Sequence, residues 1–240
     1  PLFVVLYYAF TDGQGQFTVE NFQHFFTNGK TLGTLFYSFV IALLTTTVCL
    51  FIAYPTAYIL ARGGFRKSGV WMLLLVTPMW INFTLRITAL KEVLNLIEGN
   101  LAFHPLFNAV LCMVYDFLPF MILPIYNSIA RIKPDVIEAA KDLGANSRIV
   151  LIRIIFPLTL SGVISGIVMV FVPALTSFVI SDLLGGGKVL LIGNVIEQEF
   201  MQGTNWHLGS GLSVVLMLFV IASMALMNVL DKDEGGTAVW

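Results

Sequence analysis

The chain has 240 residues, of which 58% are apolar and 11% charged, with a formal net charge of −1 and a mean hydropathy of +0.88. Soluble domains run at roughly 45–50% apolar and about 25% charged, so this composition excludes an ordinary soluble protein and predicts an all-α, polytopic membrane protein. The near-neutral charge excludes a nucleic-acid partner, and the two cysteines, Cys49 and Cys112, fall inside apolar runs, where packing rather than a disulfide or a metal is expected.

In chain order, the first run, residues 1–10, is too short for a hydrocarbon core that takes about 20 helical residues. No basic segment or small-residue cleavage site marks it as a signal peptide, so it is expected to be the outer end of a first span whose beginning is missing. Five longer runs follow at 32–61, 69–90, 106–130, 157–183 and 208–230. Each is expected to cross the bilayer as a tilted helix, because backbone groups in lipid must be satisfied within the segment. The chain then reads as one transmembrane permease domain, 1–240, of six spans with a polar loop at 131–156.

Lysine and arginine set the expected orientation. Residues 62–68, 131–156 and the C-terminal tail hold Arg62, Arg66, Lys67, Arg131, Lys133, Lys141, Arg148, Arg153 and Lys232. The opposite side keeps Lys30, Lys91 and Lys188, with Arg86 near the outer end of its span. Both termini and the 131–156 loop are therefore expected in the cytoplasm.

That loop, RIKPDVIEAAKDLGANSRIVLIRIIFP through Pro157, is helix-forming. Pro134 suits a first helical turn, and Asp135 and Glu138 put negative charge near the positive end of the helix dipole. Val136 to Leu143 continue as helix formers, and Gly144 supplies a stop. Asn146 or Ser147 can cap a second short helix carrying Arg148 and Arg153. Two short helices along the membrane face follow, the first with a flat Glu-Ala-Ala surface suited to docking in a groove; a merely solvated connection is the plainer alternative.

Glu138-Ala139-Ala140, three residues, Gly144, nine residues, Ile154 and Pro157 resembles the EAA-x3-G-x9-I-x-L-P signature of ABC importer permeases, with Phe156 in place of leucine. Further stretches extend the resemblance over nearly the whole chain: YPTAYILAR at 54–62, PMWINFTLRITALK at 78–91, LPFMILPIY at 118–126, IRIIFPLTLSGVISG at 152–166, ISDLLGGGK at 180–188 and LLIGNVI at 190–196. Together they are similar to the B-type permeases of spermidine/putrescine importers, although the loop between Lys91 and Phe107 is shorter than such permeases usually have. The resemblance implies that Glu138, Ala139, Ala140, Asp142, Leu143 and Gly144 form a coupling helix seated in a cleft of an ATPase subunit. It also implies partners: an ATPase dimer carrying ATP and Mg, a second permease, and an extracellular or periplasmic substrate-binding protein, all at a bacterial cell (inner or plasma) membrane.

The chain's own residues supply no energy source. Gly185-Gly186-Gly187-Lys188 has Asp182 where a phosphate-binding loop needs its first glycine and Val189 where it needs serine or threonine. His24, His104 and His207 are scattered, so no catalytic or metal-binding residue is expected, and the chain reads as a transporter subunit rather than an enzyme.

Polyamines are cations with apolar methylene stretches, so a pathway needs carboxylates, amide or carbonyl oxygens and aromatic faces. Trp80 and Asn82 after Pro78, Tyr115 and Asp116, and Asp182 meet that description, with Glu197 and Glu199 at the entrance. Plainer readings stand beside each. Asp116 and Arg86, both about 21–26 Å from the inner ends of their spans, are equally suited to pair with each other. Trp80 and other aromatics suit packing or an interface belt, Glu197 and Glu199 a solvated face, and Ser161, Gly162, Ser165 and Gly166 the packing of another helix. Two other functions remain open at this point: a permease of the same architecture for ferric ion, sulfate or an amino acid, and a stand-alone channel or secondary transporter.

Overall fold

The computed structural model describes residues 2–64, 67–185, 188–201 and 205–234, the side chains of His24 and of residues 226–234 excepted. Arg66, Gly186 and Gly187 lie outside the described residues, as does the side chain of Lys232. Among the described residues the chain is helical throughout, apart from turns and a single bridge between Thr11 and Phe17.

The helices are α1 (Leu2–Ala9), α2 (Glu20–Thr27), α3 (Gly29–Arg62), α4 (Ser68–Val76), α5 (Phe83–Glu98), α6 (Pro105–Arg131), α7 (Pro134–Asp142), α8 (Ser147–Val150), α9 (Phe156–Leu158), α10 (Leu160–Thr176), α11 (Phe178–Leu184), α12 (Ile192–Met201) and α13 (Trp206–Glu234). Three of them, α3, α6 and α13 as far as Ala225, are long and apolar enough to cross a membrane. Two bent pairs bring the number to five if each counts as one span.

The core is built by α3, α6 and α10, which pack on one another more extensively than any other elements. Asn28 starts α3 by accepting a hydrogen bond from the Lys30 N–H at 3.1 Å, and thirty-four residues then run to Arg62. Several hydroxyl groups along the bundle are satisfied within their own helices: Thr46 and Thr56 donate to the carbonyls of Ala42 and Ile52, each at 2.7 Å. At the centre, α6 buries Met113, Phe117, Met121, Ile122, Ile125 and Ile129. The α10 helix reaches it closely because Gly162 and Gly166 present no side chain: a Cβ on Gly162 would stand 2.5 Å from Ser128 Cβ, and one on Gly166 2.7 Å from Met121 Sδ. Helix α1 packs along α13, with Tyr8 against the His207 ring at 5.1 Å between centroids.

Two expected spans are not single helices. The 69–90 run breaks after α4 into a 3-10 turn at Thr77–Trp80, an extended Ile81, and then α5, whose axis lies 95° from that of the preceding segment. Pro78 sits in the first turn of the 3-10 segment, and Asn82 begins a new helix by accepting from the N–H groups of Thr84 and Leu85 at 3.0 and 3.4 Å. The helix then continues to Glu98, past the end of the apolar run. The 157–183 run also divides: the segment Ser147–Leu158, with a π turn at Leu151–Ile155, meets α10 at 64°, and Ser177 separates α10 from α11.

Candidate functional site

The EAA segment folds as the compact helix α7 with a fully formed C-terminal cap. Gly144 takes φ +85°, and the Gly144 N–H donates to the Lys141 carbonyl at 2.8 Å while the Ala145 N–H donates to the Ala140 carbonyl at 3.0 Å. This pair of bonds is the Schellman arrangement, which satisfies carbonyls at the helix end and needs a residue tolerant of the left-handed region. Of the two residues suited to cap the next helix, Asn146 does so, its Oδ1 accepting from the Ile149 N–H at 2.9 Å.

Glu138, Ala139, Asp142, Leu143 and Gly144 are exposed and Ala140 half-buried. Leu143 is 91% exposed at the helix end, an apolar side chain without a cover in the subunit itself. Beneath α7, a polar cavity of about 250 Å³ is lined by Tyr58, Arg62, Glu138, Lys141 and Ser147 among others. Arg62, the last residue of α3, donates through Nη2 to the carbonyls of Ile129, at 3.0 Å, and of Ile132. One guanidinium thus ties the C-terminal ends of α3 and α6 together where the chain enters α7. Nothing in the sequence beyond the basic residue at a span end pointed to that role.

The pathway candidates are not gathered at one place. Trp80 is 79% exposed and Tyr115 and Asn82 are exposed as well, the Asn82 side chain engaged as the α5 cap. Asp116 is buried and forms an ion pair with Arg86. Both line a cavity of about 410 Å³ whose other walls include Met79, Ile81, Phe83 and Phe120, and in which Trp80, Asn82 and Tyr115 have no part.

Asp182, on α11, accepts a hydrogen bond from Asn194 Nδ2. Asn194, 1% exposed and not singled out by its sequence, also donates to the Phe178 carbonyl at 3.2 Å and accepts from the Leu191 N–H at 2.9 Å, so it fastens α12 to α11. Glu197 is held above the usual carboxylate range by partial burial, then by the charge of Asp182 and a hydrogen bond with it. Glu197 also borders an apolar cavity of about 560 Å³ between α10, α12 and α13, of which it is the one charged lining residue among those described. Glu199 is half-buried on the same helix.

Among the described residues, no three histidine, cysteine or acidic side chains group as metal ligands, and Cys49 and Cys112 are buried free thiols.

The fold matches those of solved ABC transporters. A bacterial ABC transporter involved in import of the acidic polysaccharide alginate aligns with a TM-score of 0.76 over 96% of this chain and 88% of that one, at 14% identity. The MetNI methionine ABC transporter aligns at 0.67 over 85% and 95%, at 15% identity. In sequence, the spermidine/putrescine transport system permease protein PotB of Haemophilus influenzae is 36% identical over 221 residues, 85% of this chain and 77% of the relative. PotB of Escherichia coli is 38% identical over 201 residues, 77% of this chain and 72% of the relative. Residues 53–233 match the family model of the binding-protein-dependent transport system inner membrane component. The exposed α7, the α3–α6–α10 core and these similarities agree: the chain is a multi-pass membrane subunit of a transporter and belongs to the binding-protein-dependent transport system inner membrane component family.

Proposed function

We propose that this chain is the permease subunit of an ATP-driven importer of spermidine and putrescine, forming one half of the translocation path while a second permease forms the other. The observation that carries the cargo is the 36–38% identity to two PotB permeases over more than two thirds of their length. The observation that supports the energy source is α7, a capped helix with Glu138, Ala139 and Asp142 exposed on its outer face and Leu143 uncovered at its end. In this reading Glu138, Ala139, Ala140, Asp142, Leu143 and Gly144 dock into an ATPase subunit, which holds the ATP and Mg. Both termini face the cytoplasm with α7, and a soluble binding protein delivers the polyamine to the opposite side, where Asp182, Glu197 and Glu199 attract cations. Trp80, Asn82, Tyr115 and Asp116 line the route between. Closure of the ATPase dimer moves α7, and the motion passes into α6, whose end Arg62 ties to the end of α3.

The test is uptake of radiolabelled spermidine and putrescine by vesicles holding the complete transporter, against sulfate, ferric ion and an amino acid as alternatives. ATP-dependent uptake of a polyamine is expected, and uptake of another solute instead would reassign the cargo. Ala139→Arg, at an exposed α7 position, should leave the subunit inserted but reduce uptake at least tenfold, since a buried unpaired charge at an interface costs about 2–5 kcal/mol. Full uptake in that variant would remove α7 as the docking element.

A further inference from the structure

The ion pair of Arg86 and Asp116 links more than two side chains. The Asp116 side chain on α6 is 2% exposed and that of Arg86 on α5 is 9% exposed. Two charges this deep in an apolar bundle bear a desolvation cost that their attraction does not reliably offset, and ionisable groups inside membrane helices mark pathways more often than they add stability. The same guanidinium reaches back over the 95° bend, Arg86 Nη1 donating to the Pro78 carbonyl at 3.0 Å. A single side chain therefore holds together α5, the 3-10 turn before it and α6.

Both charged groups border the cavity of about 410 Å³, whose remaining walls are apolar or aromatic. Asp116 Oδ1 is the atom that meets Arg86 Nη2 in the ion pair, while Arg86 Nε has no hydrogen-bond partner among the described residues. The carboxylate is thus held by the guanidinium at the cavity wall, and a cation entering the cavity reaches it by displacing Arg86.

We propose that Asp116 is an exchange site for the transported cation: a primary ammonium group on an aliphatic chain enters this cavity, takes Asp116 from Arg86, and releases the tether across the bend. The inference rests on the polyamine reading of the cargo. An ammonium group brings three donors to a carboxylate, and its methylene chain fits walls formed by Ile81, Phe83 and Phe117. Arg86 serves as the substrate's built-in stand-in. It keeps Asp116 from being a lone buried charge between transport events, and by returning it expels the bound cation. The affinity of the site is then set by competition: if Arg86 holds the carboxylate about nine-tenths of the time, its removal strengthens cation binding roughly tenfold.

The complete transporter is reconstituted in nanodiscs and washed free of binding protein, and equilibrium binding of radiolabelled spermidine is measured per assembled complex. Wild type is compared with Arg86→Gln, Asp116→Asn and the double variant. Arg86→Gln is expected to bind roughly tenfold more tightly and to transport more slowly, because release is impaired. Asp116→Asn and the double variant should lose this binding. A purely structural tether gives another pattern: each single variant lowers the amount of assembled complex, the double variant restores it, and binding per complex is unchanged throughout. That result overturns the exchange site. If the single variants do not assemble, the double variant, which leaves no lone charge, still decides, since wild-type binding in it refutes the proposal. Absence of spermidine uptake by the wild-type transporter would instead refute the cargo reading, so the two failures are distinguishable.

Discussion

Gly144 ends α7 through one backbone angle, φ +85°, and a Cβ built there meets nothing within 4 Å. Within the subunit, the effect of substitution therefore comes from the angle and not from a clash. Placing an L-residue in the left-handed region costs about 1–2 kcal/mol, while loss of glycine's freedom in the unfolded chain returns about 0.4–1 kcal/mol. The net for Gly144→Ala is about 1 kcal/mol, a factor of about 5 in the population of the correctly ended helix. Asparagine enters the left-handed region far more readily than alanine, so Gly144→Asn should stay within about twofold of wild type despite its larger side chain. Gly144→Val, β-branched, should be the worst of the three. ATP-driven uptake of labelled spermidine by proteoliposomes, normalised to assembled complex and read beside ATP hydrolysis, gives the order. Uptake should fall as Gly, Asn, Ala, Val, and by more than hydrolysis does. An alanine variant that matches wild type beside an impaired asparagine variant would mean that size decides, and the backbone argument would be wrong.

At Gly162 the opposite holds, because an added Cβ would lie 2.5 Å from Ser128 Cβ and 2.8 Å from the Pro124 carbonyl oxygen. Overpacking of this kind costs about 1–3 kcal/mol, so Gly162→Ala should lower the thermal midpoint of the solubilised protein by roughly 3–10 °C. Gly33→Ala in α3, where nothing lies within 4 Å, should leave it unchanged or higher, and equal losses in the two would contradict the packing argument. Glu197 has a folded pKa above its ordinary value of 4.5, so whatever stability its neutral form contributes is present in acid and lost as pH rises through the folded value. Glu197→Gln should accordingly raise the thermal midpoint at pH 7, with the gain vanishing as the buffer falls below 4.5, and a gain independent of pH would exclude the charge of Asp182 as its cause.

Local chemistry was legible and direction was not. Pro134, Gly144 and Asn146 each act on their own neighbours, so the start of α7, its left-handed end and the cap that follows can be read from residue type. The runs 32–61 and 106–130 fall inside α3 and α6 because hydropathy reports length of apolar chain. Hydropathy carries no information about the axis, and the bend of 95° inside the 69–90 run depends on Pro78 followed by a capping Asn82, two signals present in the sequence but submerged in an apolar stretch. The ion pair was accessible by counting residues from the span ends, which put Arg86 and Asp116 at one depth. The Arg86 contact with the Pro78 carbonyl was not, since it exists only after the bend has formed. Arg62 and Asn194 were missed for a related reason: Arg62 bonds to backbone carbonyls of α6 and Asn194 in part to the Phe178 carbonyl, and backbone groups leave no trace in residue type.

The two parts of the molecule proposed to act in transport, α7 and the Asp116 cavity, are joined by α6. Asp116 lies on it beside the cavity, and Arg131 ends it where the chain turns into α7, roughly 22 Å further along the axis. Pro119 and Pro124 fall between them, and each removes one backbone N–H from the helical ladder, so this is the stretch of α6 with the least resistance to bending. Gly162 of α10 packs against this stretch beside Ser128 and the Pro124 carbonyl, and Arg62 holds the far end at the Ile129 and Ile132 carbonyls. A displacement of α7 is therefore constrained at the Arg62 end and free to act at the proline-containing stretch. The side of that stretch away from α7 carries the carboxylate that holds Arg86. On the proposed reading, coupling between α7 and the cavity consequently needs no chain of contacts across the bundle, only the bending of one helix at positions where its own hydrogen bonds are already absent.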